Sequence, residues 1–423
     1  MSSYPDSVRF LYALGNEIKS VKFGLDRIRA VLEALGNPQR AFRVVHVAGT
    51  NGKGSTCAMI DAGLRASHLN EPIRTGLYTS PHLIEPTERI HVDGIAVSRE
   101  QFQRAFAIVH EVALNLDLDC HPTYFETVTA MAFWLFRELR VETAVIEVGL
   151  GGRLDATNVV EPALTAITPI DFDHEAWLGS TIESIAREKA GILKPGVPAV
   201  FARQRPEAAA VLDQRAAELG IAVARATDFE IRDLEIDARG SKFTIAGLSY
   251  IECPLAGEHQ VDNAVTAALA LESLGISPRG IAETRWPGRL EVVAPNPDII
   301  LDGAHNPAGA RALARYLARF YSHRKIWMIY AAMRDKAIEE IAGILFPIAA
   351  ELIFTTAGSS RALRPEALVE IAGRGETAES PAAAVDLART RAQSDDVIVI
   401  TGSLFLVGEA RALLQSVRPA WGG

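Results

Sequence analysis

The sequence predicts a two-domain α/β protein, with a large N-terminal domain on a doubly wound parallel sheet and a smaller α/β domain after it. Three observations carry this. Apolar runs of strand length alternate with helical patterns along most of the chain. A glycine-rich turn joins the first such strand to the helix that follows it. A Pro-Gly turn within Trp286-Pro287-Gly288-Arg289-Leu290 then separates one alternating series from another. Length agrees, because 423 residues exceed the roughly 250–300 at which a single core stops growing. The expected domains are 1–286 and 287–423, with motion between them about residues 286–289.

In chain order, strand 43–47 leads through the turn 49–54 into helix 55–67 and strand 73–78. Helices are expected at 101–114, 125–139 and 182–190, and strands at 144–148, 164–168 and 199–202. The alanine-rich stretch 207–217 is a good surface helix. From 221 to 253 short alternating runs, such as Phe243-Thr244-Ile245, read as antiparallel strands, and helical stretches 260–274 and 278–284 follow. Past the Pro-Gly turn, strands are expected at 299–301, 325–330, 352–355 and 397–400, and helices at 308–319 and 405–415.

Composition narrows the partners. Lys plus Arg number 43 against 52 for Asp plus Glu, a net charge of −9, which argues against nucleic acid as the main ligand. Any anionic ligand must be held locally. The three cysteines, Cys57, Cys120 and Cys253, are far apart and form no Cys-x-x-Cys pair, so a disulfide framework or a zinc site has little support. No apolar run reaches the roughly 18–20 residues that span a bilayer, and the N-terminus lacks a basic start followed by an apolar core. A cytoplasmic protein without a membrane partner is expected.

The strongest motif is Ala48-Gly49-Thr50-Asn51-Gly52-Lys53-Gly54-Ser55-Thr56, set where an apolar strand meets a helix. Its glycines let the backbone bend around an anion, the helix presents its positive end, and Lys53 can neutralise β- and γ-phosphates. Only Thr50 and Asn51 separate the first glycine from Gly52-Lys53, so the spacing is not the common Walker form. The competing reading, a glycine-rich turn with a solvated lysine, does not explain strand, glycines, Lys and Ser-Thr in this order.

Glu147 closes an apolar strand and opens Gly149-Leu150-Gly151-Gly152-Arg153-Leu154-Asp155, a place suited to Mg²⁺, which prefers oxygen ligands and keeps water and phosphate. A merely solvated carboxylate is the alternative. Asp171-Phe172-Asp173-His174 has the same strand-exit logic, with His174 open between a structural and a catalytic role. Ser80, in Thr79-Ser80-Pro81-His82, could offer a hydroxyl to a metal. Ser180-Thr181-Ile182-Glu183 and Thr123-Tyr124-Phe125-Glu126 both read as capping boxes. Arg187-Glu188-Lys189, ahead of Gly191, reads as a solvated basic helix end.

Together these segments resemble the folylpolyglutamate synthase/dihydrofolate synthase family of the Mur-ligase-like, ATP-dependent amide-forming enzymes. The resemblance runs from about Gly24 to Gly408 and includes Trp286-Pro287-Gly288-Arg289, Asp302-Gly303-Ala304-His305-Asn306-Pro307 and Thr401-Gly402-Ser403. It implies a Mur-ligase-like fold with a P-loop domain and a Rossmann-like C-terminal domain. By it, Gly49 to Thr56 with Asn263, Arg289 and Asp302 bind ATP, and Ser80, Glu147 and His174 ligate magnesium. Lys189 is implied to carry a carbamate. His305 and Ser403 would meet the incoming L-glutamate. Gly24, Leu25, Asp26, Thr123, Tyr124, Phe125, Glu126, Leu154, Asp155 and Ala156 would face the pterin.

Lys53, Lys189 and His305 are then the expected catalytic groups, in a ligase that adds glutamate to dihydropteroate, to folylpolyglutamates or to both through an acyl phosphate. A monomer acting on small molecules is expected. A nucleotide-dependent switch without ligase chemistry and a ligase of cell-wall precursors are the alternatives. Three departures from the family pattern, Glu175 after His174, Ala308 after Pro307 and Ala337 after Asp335-Lys336, remove no phosphate or metal group.

Overall fold

The structure is a computed structural model that describes residues 3–15, 24–67, 73–334, 337–359 and 361–416; Asp335 and Lys336 lie outside the described residues. The chain folds into two compact units. One comprises residues 1–232, 243–252 and 262–284, the other 233–242, 253–261 and 285–423.

The first unit is built on strands β1 (Arg43–Ala48), β2 (Thr75–Tyr78), β3 (Ile90–Val92), β4 (Ile95–Ala96), β5 (Thr143–Glu147), β6 (Leu164–Ile167), β7 (Ala199–Phe201) and β8 (Val223–Arg225). They form one eight-stranded sheet in the order β4-β3-β2-β5-β1-β6-β7-β8. From β2 to β8 every neighbouring pair is parallel. The interior strands are buried on both faces, which is why they read as continuous apolar runs.

Two features depart from the sequence expectation. The sheet is edged by an antiparallel hairpin, since β3 pairs antiparallel with both β2 and β4. Asp93 and Gly94 connect β3 to β4 with φ of 53° and 77°, the two positive values that a tight two-residue hairpin requires. The run 221–253 also does not begin antiparallel: β8 pairs parallel with β7, at the end of a crossover through the helix Pro206–Leu219. Only then do β9 (Ile231–Ile236), β10 (Ser241–Ile245) and β11 (Tyr250–Cys253) form a three-stranded sheet, whose four-residue connections suit antiparallel neighbours alone.

The helix Tyr124–Glu138 is buried almost all round, as a core helix should be, and packs with the N-terminal helices Tyr4–Ala13 and Asp26–Ala34, which the alternation did not reveal. In the second unit, β12 (Glu291–Ala294), β13 (Asp298–Leu301), β14 (Ile326–Tyr330), β15 (Glu351–Phe354), β16 (Glu376–Thr377) and β17 (Val397–Thr401) make a six-stranded sheet, order β12-β13-β17-β14-β15-β16. All its pairs are parallel except β12 with β13. Among the described residues, no helix is long and apolar enough to cross a membrane.

Register positions the site. Tyr78 pairs with Ile146, Glu147 with Val47, and Ala48 with Ile167. The loops after β2, β5, β1 and β6 therefore leave the sheet at one level, at the carboxyl ends where parallel sheets bind ligands.

Candidate active site

The loop after β1 is held by its neighbours. Gly49 has φ 148° and Gly52 φ 82°. A Cβ would lie 1.8 Å from Thr168 Oγ1 at the first and 2.2 Å from Asn263 Oδ1 at the second, so both positions exclude a side chain. The amides of Thr50 and Asn51 donate to Pro169 O at 3.0 and 3.2 Å, and Thr50 Oγ1 donates to Asp171 O at 3.0 Å. Those two amides thus hold the loop to the exit of β6. The first bond of the helix Lys53–Arg65 runs from Thr56 to Gly52 O, so the amides of residues 53–55 precede the helix ladder at its positive end. Lys53 Nζ donates to Thr50 O at 3.3 Å. Asn263 lies against the turn at Gly52.

Glu147 is 4% exposed, and its Oε2 accepts the Ser80 amide at 3.0 Å. The buried Cys57 thiol is pushed up, by burial first and also by the Glu147 carboxylate. After Glu147, the glycines make room for two close neighbours. A Cβ on Gly149 would lie 2.4 Å from the Phe125 ring, and one on Gly152 2.6 Å from Glu188 O. Asp155 closes this loop, accepting from Leu150 N at 2.8 Å and Thr157 N at 3.0 Å. Its carboxylate organises the turn, and burial raises its pKa against those hydrogen bonds.

The loop also fixes the helix Ile182–Ala190, through Arg153 N to Glu188 O at 2.8 Å. At the next residue, Lys189 departs from the solvated basic end that the sequence suggested. It is 4% exposed and its Nζ donates to Gly49 O at 2.7 Å. Burial above all, and then the Lys53 charge, push its pKa down to about 7, against the pull of Asp173 and Asp155. Lys53, Lys189, Asp155 and Asp173 therefore share one electrostatic neighbourhood. His174 stands in the left-handed region at φ 55°, with Nε2 3.9 Å from Asp173 Oδ2.

The cap of this helix lies one residue further on than expected. Thr181 and Ser184 form the capping box, not Ser180 and Glu183. Gly179, at φ 93°, lets Ser184 Oγ approach to where its own Cβ would be, at 2.4 Å.

The other predicted box holds, with Thr123 N donating to Glu126 Oε2 at 2.8 Å and Glu126 N to Thr123 Oγ1 at 3.3 Å. Glu126 also receives Arg27 Nε at 3.3 Å, which ties this cap to the segment Gly24, Leu25 and Asp26. Leu25 and Ala156 are buried, Leu154 is half-buried, and the Asp26 carboxylate is fully exposed. Tyr124 is only 3% exposed, so what covers it matters. The sequence motifs stop one residue short of Arg27, and they do not reveal Tyr12 and Arg89 as neighbours of Tyr124, or His82 as the residue that bonds both.

In the second unit, Asp302 follows β13 and accepts Leu290 N and Ala304 N, each at 3.0 Å. Burial lifts its pKa to about 6 despite the Arg289 guanidinium. His305 Nδ1 bonds Gly303 O at 2.8 Å, so the ring donates there and keeps Nε2 as its acceptor when neutral. Ser403 Oγ accepts Phe405 N at 3.2 Å ahead of the helix Leu404–Ser416.

A glycine-rich turn pinned on a parallel sheet, with a buried carboxylate and a buried lysine beside it, suits a nucleotide, and the families that match the chain make the class a Mur-type ligase. The Mur ligase middle domain matches residues 47–271, and the Mur ligase, glutamate ligase domain matches residues 288–404. The dihydrofolate synthase/folylpolyglutamate synthase of Mycobacterium tuberculosis is 38% identical, over 92% of this chain and 89% of its own. The chain belongs to the dihydrofolate synthase/folylpolyglutamate synthase family. Solved structures agree. Escherichia coli FolC in complex with DHPP and ADP has a TM-score of 0.87 at 31% identity, over 99% of this chain and 100% of that one. The Yersinia pestis bifunctional enzyme complexed with AMPPNP and Mn ion has a TM-score of 0.84 at 31% identity, over 98% and 100%.

Proposed function

We propose that this protein joins L-glutamate to dihydropteroate, to folylpolyglutamates or to both, with conversion of ATP to ADP and phosphate. The observation that carries the reading is the turn Gly49 to Thr56, pinned so that Lys53 and the first helical amides stand at the sheet's carboxyl edge. A carboxylate does not react with an amine at a useful rate, so its oxygen takes the γ-phosphoryl group, ADP leaves, and the glutamate amine displaces phosphate from the acyl phosphate. Phosphoryl transfer asks the protein for positioning and charge neutralisation, which Lys53 and the helix end supply.

The residues suit Mg²⁺. Among the described residues no three His, Cys, Asp or Glu side chains gather into a cage. Mg²⁺ needs none, since it is held by one or two carboxylates together with phosphate and water. Glu147, with Ser80 against it and His174 on the next loop but one, would hold it, and it would offset phosphate charge when bound. Residues 52–55 with Asn263 are assigned to the phosphates, and Thr50 and Asn51 to shaping their loop. In the second unit, Arg289 and Asp302 are assigned to nucleotide and His305 and Ser403 to glutamate. The segments 24–26, 123–126 and 154–156 are assigned to the pterin.

We also assign Lys189 a carbamate. Its depressed pKa leaves a neutral amine near pH 7, which can attack carbon dioxide, forming an N–C bond and releasing one proton. The anion so formed would be favoured by the same Lys53 charge that disfavours the cation.

Replacing Lys53 by Ala removes the main charge on the loop. The expected result is a loss of about two to three orders of magnitude in glutamate-dependent ADP release with pterin substrates. Unchanged turnover would sink the role of this loop.

A further inference from the structure

Tyr124 lies in the segment assigned to the pterin, yet it is almost completely covered, and the residue that covers it is exposed. Tyr12, on the helix Tyr4–Ala13, is 46% exposed and its ring is parallel to that of Tyr124, with centroids 5.8 Å apart and planes 3° apart. The Arg89 guanidinium stands over the same Tyr124 ring at 5.1 Å. Tyr12 therefore presents the aromatic face that Tyr124 cannot.

A hydrogen-bonded relay orients it. Arg89 Nε donates to His82 Nδ1 at 2.9 Å, so the neutral His82 carries its proton on Nε2 and donates it to Tyr12 Oη at 3.1 Å. The phenol is thus anchored at its hydroxyl end by a side chain of fixed tautomer, while its ring rests on Tyr124.

The relay belongs to the loop that carries Ser80. Ser80 N bonds Glu147, and His82 lies two residues on, a backbone span of at most about 7 Å. His82, and the Tyr12 hydroxyl that it holds, are therefore tethered near the carboxylate end of the site. In dihydropteroate the reacting carboxylate is attached directly to a benzene ring, which must lie within that short reach. In a folylpolyglutamate the reacting carboxylate ends a flexible glutamyl tail, and the rings lie further away.

We propose that Tyr12 is a specificity-determining residue, an aromatic shelf set by His82 and Tyr124 that receives the benzoyl ring of a substrate whose reacting carboxylate is aromatic. This rests on the ligase reading above. It adds that dihydropteroate is accepted and that its use depends on Tyr12 while folylpolyglutamate use does not. Ring stacking adds to what burial alone contributes, so removing the whole ring should be visible in kinetics.

The test compares the unsubstituted protein with Tyr12→Leu and Tyr12→Phe, with saturating ATP and glutamate, on dihydropteroate and on a folate monoglutamate. Thermal melting is measured alongside. Tyr12→Leu should lower kcat/KM for dihydropteroate at least tenfold, mainly through KM, and leave the folate value within threefold. Tyr12→Phe, which keeps the ring, should recover most of the dihydropteroate activity. Equal losses on both substrates would make Tyr12 structural and overturn the proposal, as would no loss on either. An unsubstituted protein active on folate alone would overturn it too, with the ligase reading intact. Activity on neither pterin would sink the ligase reading itself and this inference with it.

Discussion

Lys189 shows how far one residue's role depends on where its helix ends. On the sequence it stands between a glutamate and an alanine near a helix C-terminus, where a cation is ordinarily solvated and favourable to the dipole. In the fold it is inside, bonded to Gly49 O, and feels the charge of Lys53. Burial and the nearby Lys53 charge favour the neutral form of Lys189, and the carbamate we propose would make it an anion. The expectation is that Lys189→Ala loses most glutamate-dependent ADP release and that small carboxylates such as acetate restore part of it. Full activity in the variant without added carboxylate would rule the role out. Arg27 is hidden in the same way. Its side chain and that of Glu126 are 11% and 6% exposed, a covered ion pair linking two segments distant in sequence. No local pattern announces such a pair, because its partner is chosen by packing.

At the scale of elements, caps and turns decide where the functional loops begin. Thr123 and Glu126 close the helix Tyr124–Glu138 reciprocally, so the segment assigned to the pterin starts at a defined residue. Thr123→Ala removes the acceptor for Glu126 N and should cost about 0.5–2 kcal/mol in urea unfolding, the range found for caps. An unchanged midpoint would mean that burial alone holds this helix end. The box was legible in the sequence because its residues are four consecutive letters. The Thr181 and Ser184 box was misplaced by one residue, since Gly179 selects Ser184 through space and not through pattern. The Asp93-Gly94 hairpin was legible in principle from its dipeptide. The parallel pairing of β8 was not, because direction depends on the crossover that precedes it.

For the whole molecule, burial of titratable groups sets the response to acid. His46, His82 and His259 are held neutral inside, with pKa values pushed down to about 3, about 3 and about 4, chiefly by burial. Unfolded, each would take a proton near 6.5, so between about pH 6.5 and 4 the unfolded chain binds more protons and stability falls as pH falls. Asp302 opposes this between about 6 and 3.8, since its raised pKa makes the folded state the better proton acceptor. Burial raises Asp155 and Asp262 in the same sense as Asp302, and lowers His91 and His110 with the other three histidines, so five groups stand against three; the first melting transition should move down between pH 7 and pH 5, and a transition that moved up would refute this balance. The strand and helix alternation, the phosphate turn and the order of the family's segments can all be read from the chain before it folds, because each is written in contiguous residues with their own periodicity. That Lys189 is buried against Gly49, that Asp155 serves its loop and that Tyr12 stands in front of Tyr124 emerges from the folded molecule. Those are meetings of segments far apart in the chain, and a net charge of −9 does not exclude an anionic substrate, because charge can be matched locally, as the proposed function asks of Lys53 and the helix amides beside it.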